Sequence, residues 1–112
     1  MVTLTNVGTT YDAIAASKGL GCVAIDLTGV TQIVFSVRYN KVGSGTLSWQ
    51  LWNDTDLTEV GAITDTVAGD NKRQQATFAV SLSGVKELRV RCKSTTGTDD
   101  PVYYGSNIRV IR

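Results

Sequence analysis

Residues 26–56, DLTGVTQIVFSVRYNKVGSGTLSWQLWNDTD, decide the fold class. Two runs of period-two alternation flank a glycine-rich link. In the first, Ile33, Phe35, Val37 and Tyr39 fall on one face of an extended chain. Gln32, Ser36, Arg38 and Asn40 fall on the other, with Val34 the one apolar exception. In the second, Leu47, Trp49 and Leu51 alternate with Thr46, Ser48, Gln50 and Trp52. The link Val42-Gly43-Ser44-Gly45-Thr46 reads as a hairpin turn, so the stretch points to an antiparallel sheet. Because these glycines join two strands, no helix start is available there to hold a phosphate.

Outward from this stretch, turn signals recur at 6–8, 18–21, 28–29, 41–45, 53–56, 69–72, 83–84, 95–101 and 105–107. That is the spacing of an all-β sandwich or barrel. Between them lie nine strand candidates, at 2–5, 9–16, 22–27, 32–40, 47–52, 59–66, 75–81, 87–93 and 107–111, from which a sandwich of about eight strands is expected. Residues 13–18 are too short for a stable helix and are broken by Gly19 and Gly21. In 75–81 the apolar Ala76, Phe78 and Val80, continued by Leu82, alternate with Gln75, Thr77, Ala79 and Ser81, so one face packs and one meets water. In 87–93, Leu88, Val90 and Cys92 point one way and Arg89, Arg91 and Lys93 the other. Three cations in a row on one sheet face repel each other unless carboxylates or a partner surface lie opposite. The last strand repeats the pattern, with Ile108 and Val110 inward and Arg109 outward.

The chain of 112 residues is read as a single domain, 1–112, with 1–8 as an N-terminal arm. At this length it buries about two-thirds of its unfolded surface, enough for a core without staples. A charged fraction of 19% and a net charge of +1 are those of an ordinary globular chain, and no run of basic residues points to nucleic acid. No segment reaches the length that spans a bilayer, and the N-terminus has no cationic region followed by an apolar core, so synthesis in the cytoplasm is expected. Cys22 and Cys92 both fall in strand candidates. They read as two buried apolar thiols, the alternative being a disulfide formed in an oxidising compartment.

With no histidine in the chain, Ser-His-Asp and Cys-His chemistry is impossible within it. The acidic groupings Asp54, Asp56 and Glu59, Asp65 and Asp70, and Asp99 and Asp100 sit in turn-rich segments, where aspartate caps local backbone donors. The expectation is no catalytic residue, no cofactor and no metal. Asn53, Asp54 and Asp56 offer oxygens at short spacing but lack the glycine and glutamate of a calcium loop. Trp49 and Trp52 are three apart and so face opposite ways in a strand, Trp49 toward the core and Trp52 toward the polar face. An exposed Trp52 with Tyr39, Tyr103 or Tyr104 could pack on another protein or stack on a sugar.

The segments DLTG (26–29) before a strand, LWNDTD (51–56) after one, and KSTTGTDDPV (93–102) in a late loop resemble small jelly-roll structural proteins of tailed bacteriophages. The resemblance implies an antiparallel jelly-roll sandwich acting as a capsid decoration, head-fibre or tail accessory protein. It further implies a virion location, a major capsid protein or other virion protein as partner, and self-association, most simply as a trimer. The expected interface residues are Val2 and Leu4 on the arm, then Arg38, Trp52, Arg89, Arg91 and Lys93, the cationic row meeting an acidic surface. The competing reading is a carbohydrate-binding module that uses exposed aromatics. Fold alone does not separate the two.

Overall fold

The computed structural model describes residues 2–3, 11, 22–96 and 100–112. Its strands are β1 (Val2–Thr3), β2 (Cys22–Asp26), β3 (Gln32–Lys41), β4 (Leu47–Asn53), β5 (Thr58–Asp65), β6 (Gly69–Ala79), β7 (Val85–Ser94) and β8 (Val102–Ile111). They form two four-stranded antiparallel sheets, β1-β8-β3-β6 and β2-β7-β4-β5. The pairs are nested: β4 with β5, β3 with β6, β2 with β7 and β1 with β8. A long hairpin closed at β4–β5 and rolled on itself gives this order, which is the jelly-roll sandwich expected from the sequence. Leu4, the rest of the arm beyond Val2–Thr3, and the 9–16 strand candidate other than Tyr11 lie outside the described residues. Val2 and Thr3 themselves pair with Tyr103 and Val102 of the same chain.

The 42–46 link is not a hairpin. It is a corner that carries the chain from β3 in one sheet to β4 in the other. A hairpin would lay the apolar faces of β3 and β4 side by side and leave both needing a cover. In opposite sheets they cover each other: Phe35, Val37 and Tyr39 meet Leu47, Trp49 and Leu51 in one core cluster, all fully buried. The Trp49 ring lies 5.3 Å from that of Tyr39 and 5.7 Å from that of Tyr103. The hairpin of the fold is β4–β5 instead, turned by residues 54–57. Buried Asn53 organises it, its Oδ1 accepting from the backbone N–H of Thr55 (3.1 Å) and Asp56 (3.0 Å). The two carboxylates of this turn are engaged by cations from β7, Asp56 by Lys86 at 2.9 Å and Asp54 by Arg89 at 3.4 Å.

Two expected turns, 69–72 and 105–107, lie inside strands. Gly69 pairs with Lys41 across a register shift, and Asn71 takes φ 50° there, its N–H held by Asn40 Oδ1 at 2.7 Å. On β8 the register shifts between Arg38, opposite Gly105, and Tyr39, opposite Tyr103, which leaves Tyr104 as the extra residue of a bulge. Gly105 takes φ 153°, a backbone angle that residues with side chains rarely adopt. Glycine and asparagine therefore mark irregularities within strands here, a use that sequence shares with turns.

The thiols also depart from expectation. Cys92 is buried in the core, but Cys22 is exposed on edge strand β2, opposite outward-facing Arg89, and no disulfide joins them. They stand on opposite faces of one sheet and do not meet.

At one end, a polar clamp ties the sheets together. Asp65 Oδ2 accepts from the Tyr39 hydroxyl at 2.6 Å and pairs with Lys72 Nζ at 2.6 Å, while its Oδ1 accepts from the Val67 N–H at 3.0 Å. Asp65 belongs to one sheet and Tyr39 and Lys72 to the other. Burial alone would raise the Asp65 carboxyl, but these three donors outweigh it and hold it below the usual carboxylate value. Burial, reinforced by the Asp65 carboxylate, pushes the Tyr39 phenol well above its ordinary value.

Along the same side of the sandwich, Gly61 of β5 lies under the Phe78 ring of β6. A Cβ at Gly61 would sit 2.3 Å from two ring carbons, closer than atoms approach. Gly61→Ala is expected to lower stability by about 2 kcal/mol through overpacking. Gly61→Ala combined with Phe78→Leu should cost less than the sum of the two single changes, as read by urea unfolding. Additive losses would show that the contact is not the cause.

Candidate functional site

The outward face of the β2-β7-β4-β5 sheet gathers four of the residues expected at an interface. Its cross-strand rows are Thr64–Ser48–Lys93, Ala62–Gln50–Arg91 and Glu59–Trp52–Arg89. This face is closed by its own chain. The Arg91 guanidinium lies 4.5 Å from the centre of the Trp52 ring and also donates to the Tyr11 carbonyl. Lys93 Nζ lies 4.4 Å from the centre of the Tyr11 ring. Burial raises the Tyr11 phenol, partly offset by its hydrogen bond with Ser48. Gln50 Nε2 donates to Glu59 Oε1 at 3.0 Å. Ser48 and Gln50, on the face expected to meet water, are accordingly buried. Repulsion along the Arg89, Arg91, Lys93 row is relieved inside the chain by Asp54 and two aromatic rings. With Arg91 over it, Trp52 does not offer that ring face for stacking.

The outward face of the β6-β3-β8 sheet is different. Its rows are Thr77–Val34–Arg109, Gln75–Ser36–Asn107 and Arg73–Arg38–Gly105. Val34 and Ser36 on the central strand form a buried floor, while Arg38, Arg73, Arg109, Gln75 and Asn107 are exposed above it. A groove of about 310 Å³ runs here, lined by Ser36, Arg38, Arg73, Tyr104, Gly105, Ser106 and Asn107. The β8 bulge presents Tyr104, 41% exposed, at its rim. Arg38 is oriented by Asn71, its Nη2 donating to Asn71 Oδ1 at 2.7 Å. Chemically the groove offers hydroxyls, amides and guanidinium donors beside one aromatic ring. It holds no pair of carboxylates for acid–base work.

Of the aromatics expected to be exposed, Tyr39 and Tyr103 are core residues, fully buried and 8% exposed, and Trp52 is capped by Arg91. Tyr104 is the one that lines the groove, and it is exposed there. Arg38, one of the expected interface residues, belongs to the same site. Arg73, Ser36 and Asn107 were not singled out by sequence. Alternation put Ser36 and Arg38 on one face, but only the strand order brings Arg73 and Asn107 beside them. A second cavity, of about 290 Å³, opens between β2 and β8, lined by Val23, Ile25, Val90 and Ile108 together with Cys22, Ser106 and Asn107. It has no charged group and no aromatic ring.

No protein-family model matches the chain, and the search of curated proteins gives no match. Solved structures share its fold. One is the carbohydrate-binding module CBM36 in complex with calcium and xylotriose, with a TM-score of 0.59, 20% identity, and coverage of 80% of this chain and 71% of that one. Another is the EclA C-terminal domain, a sugar-binding protein, with a TM-score of 0.56, 13% identity, and coverage of 96% and 76%. A third is a CBM4 module, with a TM-score of 0.56, 10% identity, and coverage of 98% and 94%. At these identities the likeness is one of fold: the chain is a jelly-roll sandwich similar in architecture to carbohydrate-binding modules.

Proposed function

We propose that the protein is a non-catalytic glycan-binding sandwich that takes a sugar chain in the groove on the outward face of β6, β3 and β8. The observation that carries this reading is the groove itself, a polar trough with an exposed tyrosine at its rim. Sugars are bound by such pairings, hydroxyls to side-chain donors and acceptors and the apolar face of the ring to an aromatic. The architecture shared with sugar-binding modules supports the reading without supplying its residues. The virion accessory reading rests on sequence texture and gains nothing from these neighbours. The cationic row on which it drew already has partners within the chain.

The test is calorimetric titration against a panel of neutral and acidic polysaccharides. Tyr104→Ala is expected to weaken binding of whichever glycan scores by about tenfold, ~1.4 kcal/mol, the upper end of what an aromatic contact adds. Trp52→Ala should leave affinity unchanged. No binding across the panel, or binding indifferent to Tyr104, would overturn the proposal.

A further inference from the structure

We propose that the glycan bound in this groove is anionic, a chain bearing carboxylate or sulfate oxyanions that Arg38, Arg73 and Arg109 recognise; this rests on the sugar-binding reading above. The first observation is how charge is divided between the two sheets. On the β2-β7-β4-β5 side, cations meet carboxylates or rings: Arg89 with Asp54, Lys86 with Asp56, Arg91 with Trp52. The outward rows of β6, β3 and β8 contain three arginines and no carboxylate. Asp70, the nearest acid along β6, stands three residues before Arg73, roughly 10 Å along a strand. Among the described residues, the side chains of Arg73 and Arg109 have no ion-pair partner, and Arg38 is held by the neutral amide of Asn71. Asn71 thus orients the Arg38 guanidinium without neutralising it.

The second observation is register. Arg38 and Arg73 are directly opposite each other on neighbouring strands, an arrangement that destabilises a sheet unless an anion lies between the pair. A guanidinium offers paired N–H donors that match the two oxygens of a carboxylate or sulfate. Arg109 is opposite Val34, four residues before Arg38 on β3 and therefore roughly 13 Å further along the face. Asn107, opposite Ser36, belongs to the stretch of β8 between these two cationic points, and Tyr104 lies just beyond the Arg38–Arg73 point. A chain of several residues can reach both points and a single sugar cannot, so affinity should rise with chain length. Three cations on one sheet face, in a chain of net charge +1, form a local anion site and not the broad basic stripe of a nucleic-acid binder.

The experiment titrates the full chain with polygalacturonate, its fully methyl-esterified form, dextran sulfate and duplex DNA at low and moderate salt. Either polygalacturonate or dextran sulfate is expected to bind at least tenfold more tightly than the ester, with affinity falling as salt rises. Whichever of the two is preferred identifies the oxyanion as carboxylate or sulfate. Arg73→Gln with Arg109→Gln should abolish that preference while retaining the far-ultraviolet spectrum and melting temperature, because both side chains are exposed. Arg89→Gln on the other sheet should leave the preference intact. Equal binding of acid and ester that still depends on Tyr104 would overturn the anionic proposal and leave the glycan reading standing. Binding of no glycan would overturn both. DNA bound as tightly as the best glycan, without dependence on Tyr104, would overturn the proposal in favour of a general polyanion surface.

Discussion

Replacing Asp65 by alanine is expected to lower the unfolding free energy by about 3 kcal/mol at pH 7, the lower end of the cost of breaking a buried ion pair. The lower end applies because Lys72 keeps 20% of its side chain exposed and can turn toward water, whereas the Tyr39 hydroxyl cannot. The loss has a defined pH dependence. The carboxyl of Asp65 lies below its ordinary value in the folded protein, so its contribution is complete above the unfolded pKa, about 4, and disappears as pH falls through the folded value. Urea unfolding at pH 7 and near pH 3 should therefore show the gap between wild type and Asp65→Ala narrowing in acid. A gap of the same size at both pH values would mean that packing, not charge, holds the clamp. Tyr39 acts at the other extreme. With its phenol raised in the folded state, its contribution is complete below about pH 10 and lost as pH rises beyond that.

Trp49→Ala should cost about 4 kcal/mol, the scale of emptying a large aromatic site in a closed core. The ring is fully buried and packs against tyrosines of the opposite sheet on β3 and β8, so its loss opens a void that neither sheet can close alone. Trp49→Phe should cost much less, about 1 kcal/mol. The indole N–H has no hydrogen-bond partner among the described residues, and phenylalanine removes that buried donor together with part of the volume. Fluorescence of Trp52, the second of the chain's two tryptophans, reports the unfolding of both variants. Equal losses for the two would assign Trp49 a role other than filling space.

Much of this fold is legible in residues 26–56, and the limits of that legibility have physical causes. Alternation at Ile33, Phe35, Val37 and Tyr39, and at Leu47, Trp49 and Leu51, correctly assigns the buried face of each strand. It carries no information about which sheet a strand joins, so the 42–46 corner looks like a hairpin. Gly69, Asn71 and Gly105 supply the backbone angles of strand irregularities as readily as those of turns. Cys22 reads as buried because its residue type is usually inside, yet the edge position of β2 exposes it. The groove is the least legible feature. Arg38 lies in the deciding stretch and Tyr104 some sixty residues later, and only the β3–β8 register brings them to one site.

Lys72 and Arg73 are adjacent on β6 and, by the alternation of a strand, face opposite ways. Lys72 is anchored through Asp65 to the other sheet, while its neighbour forms a wall of the groove. The wall's place is thus set by a contact on the far side of the sheet before any ligand arrives. A sugar chain seated there would meet a preorganised surface and lose affinity only to the ordering of its own links and of the exposed arginine stems. Free and bound proteins should then superimpose at β6, and a change at Asp65, which does not line the groove, should be felt as weaker glycan binding.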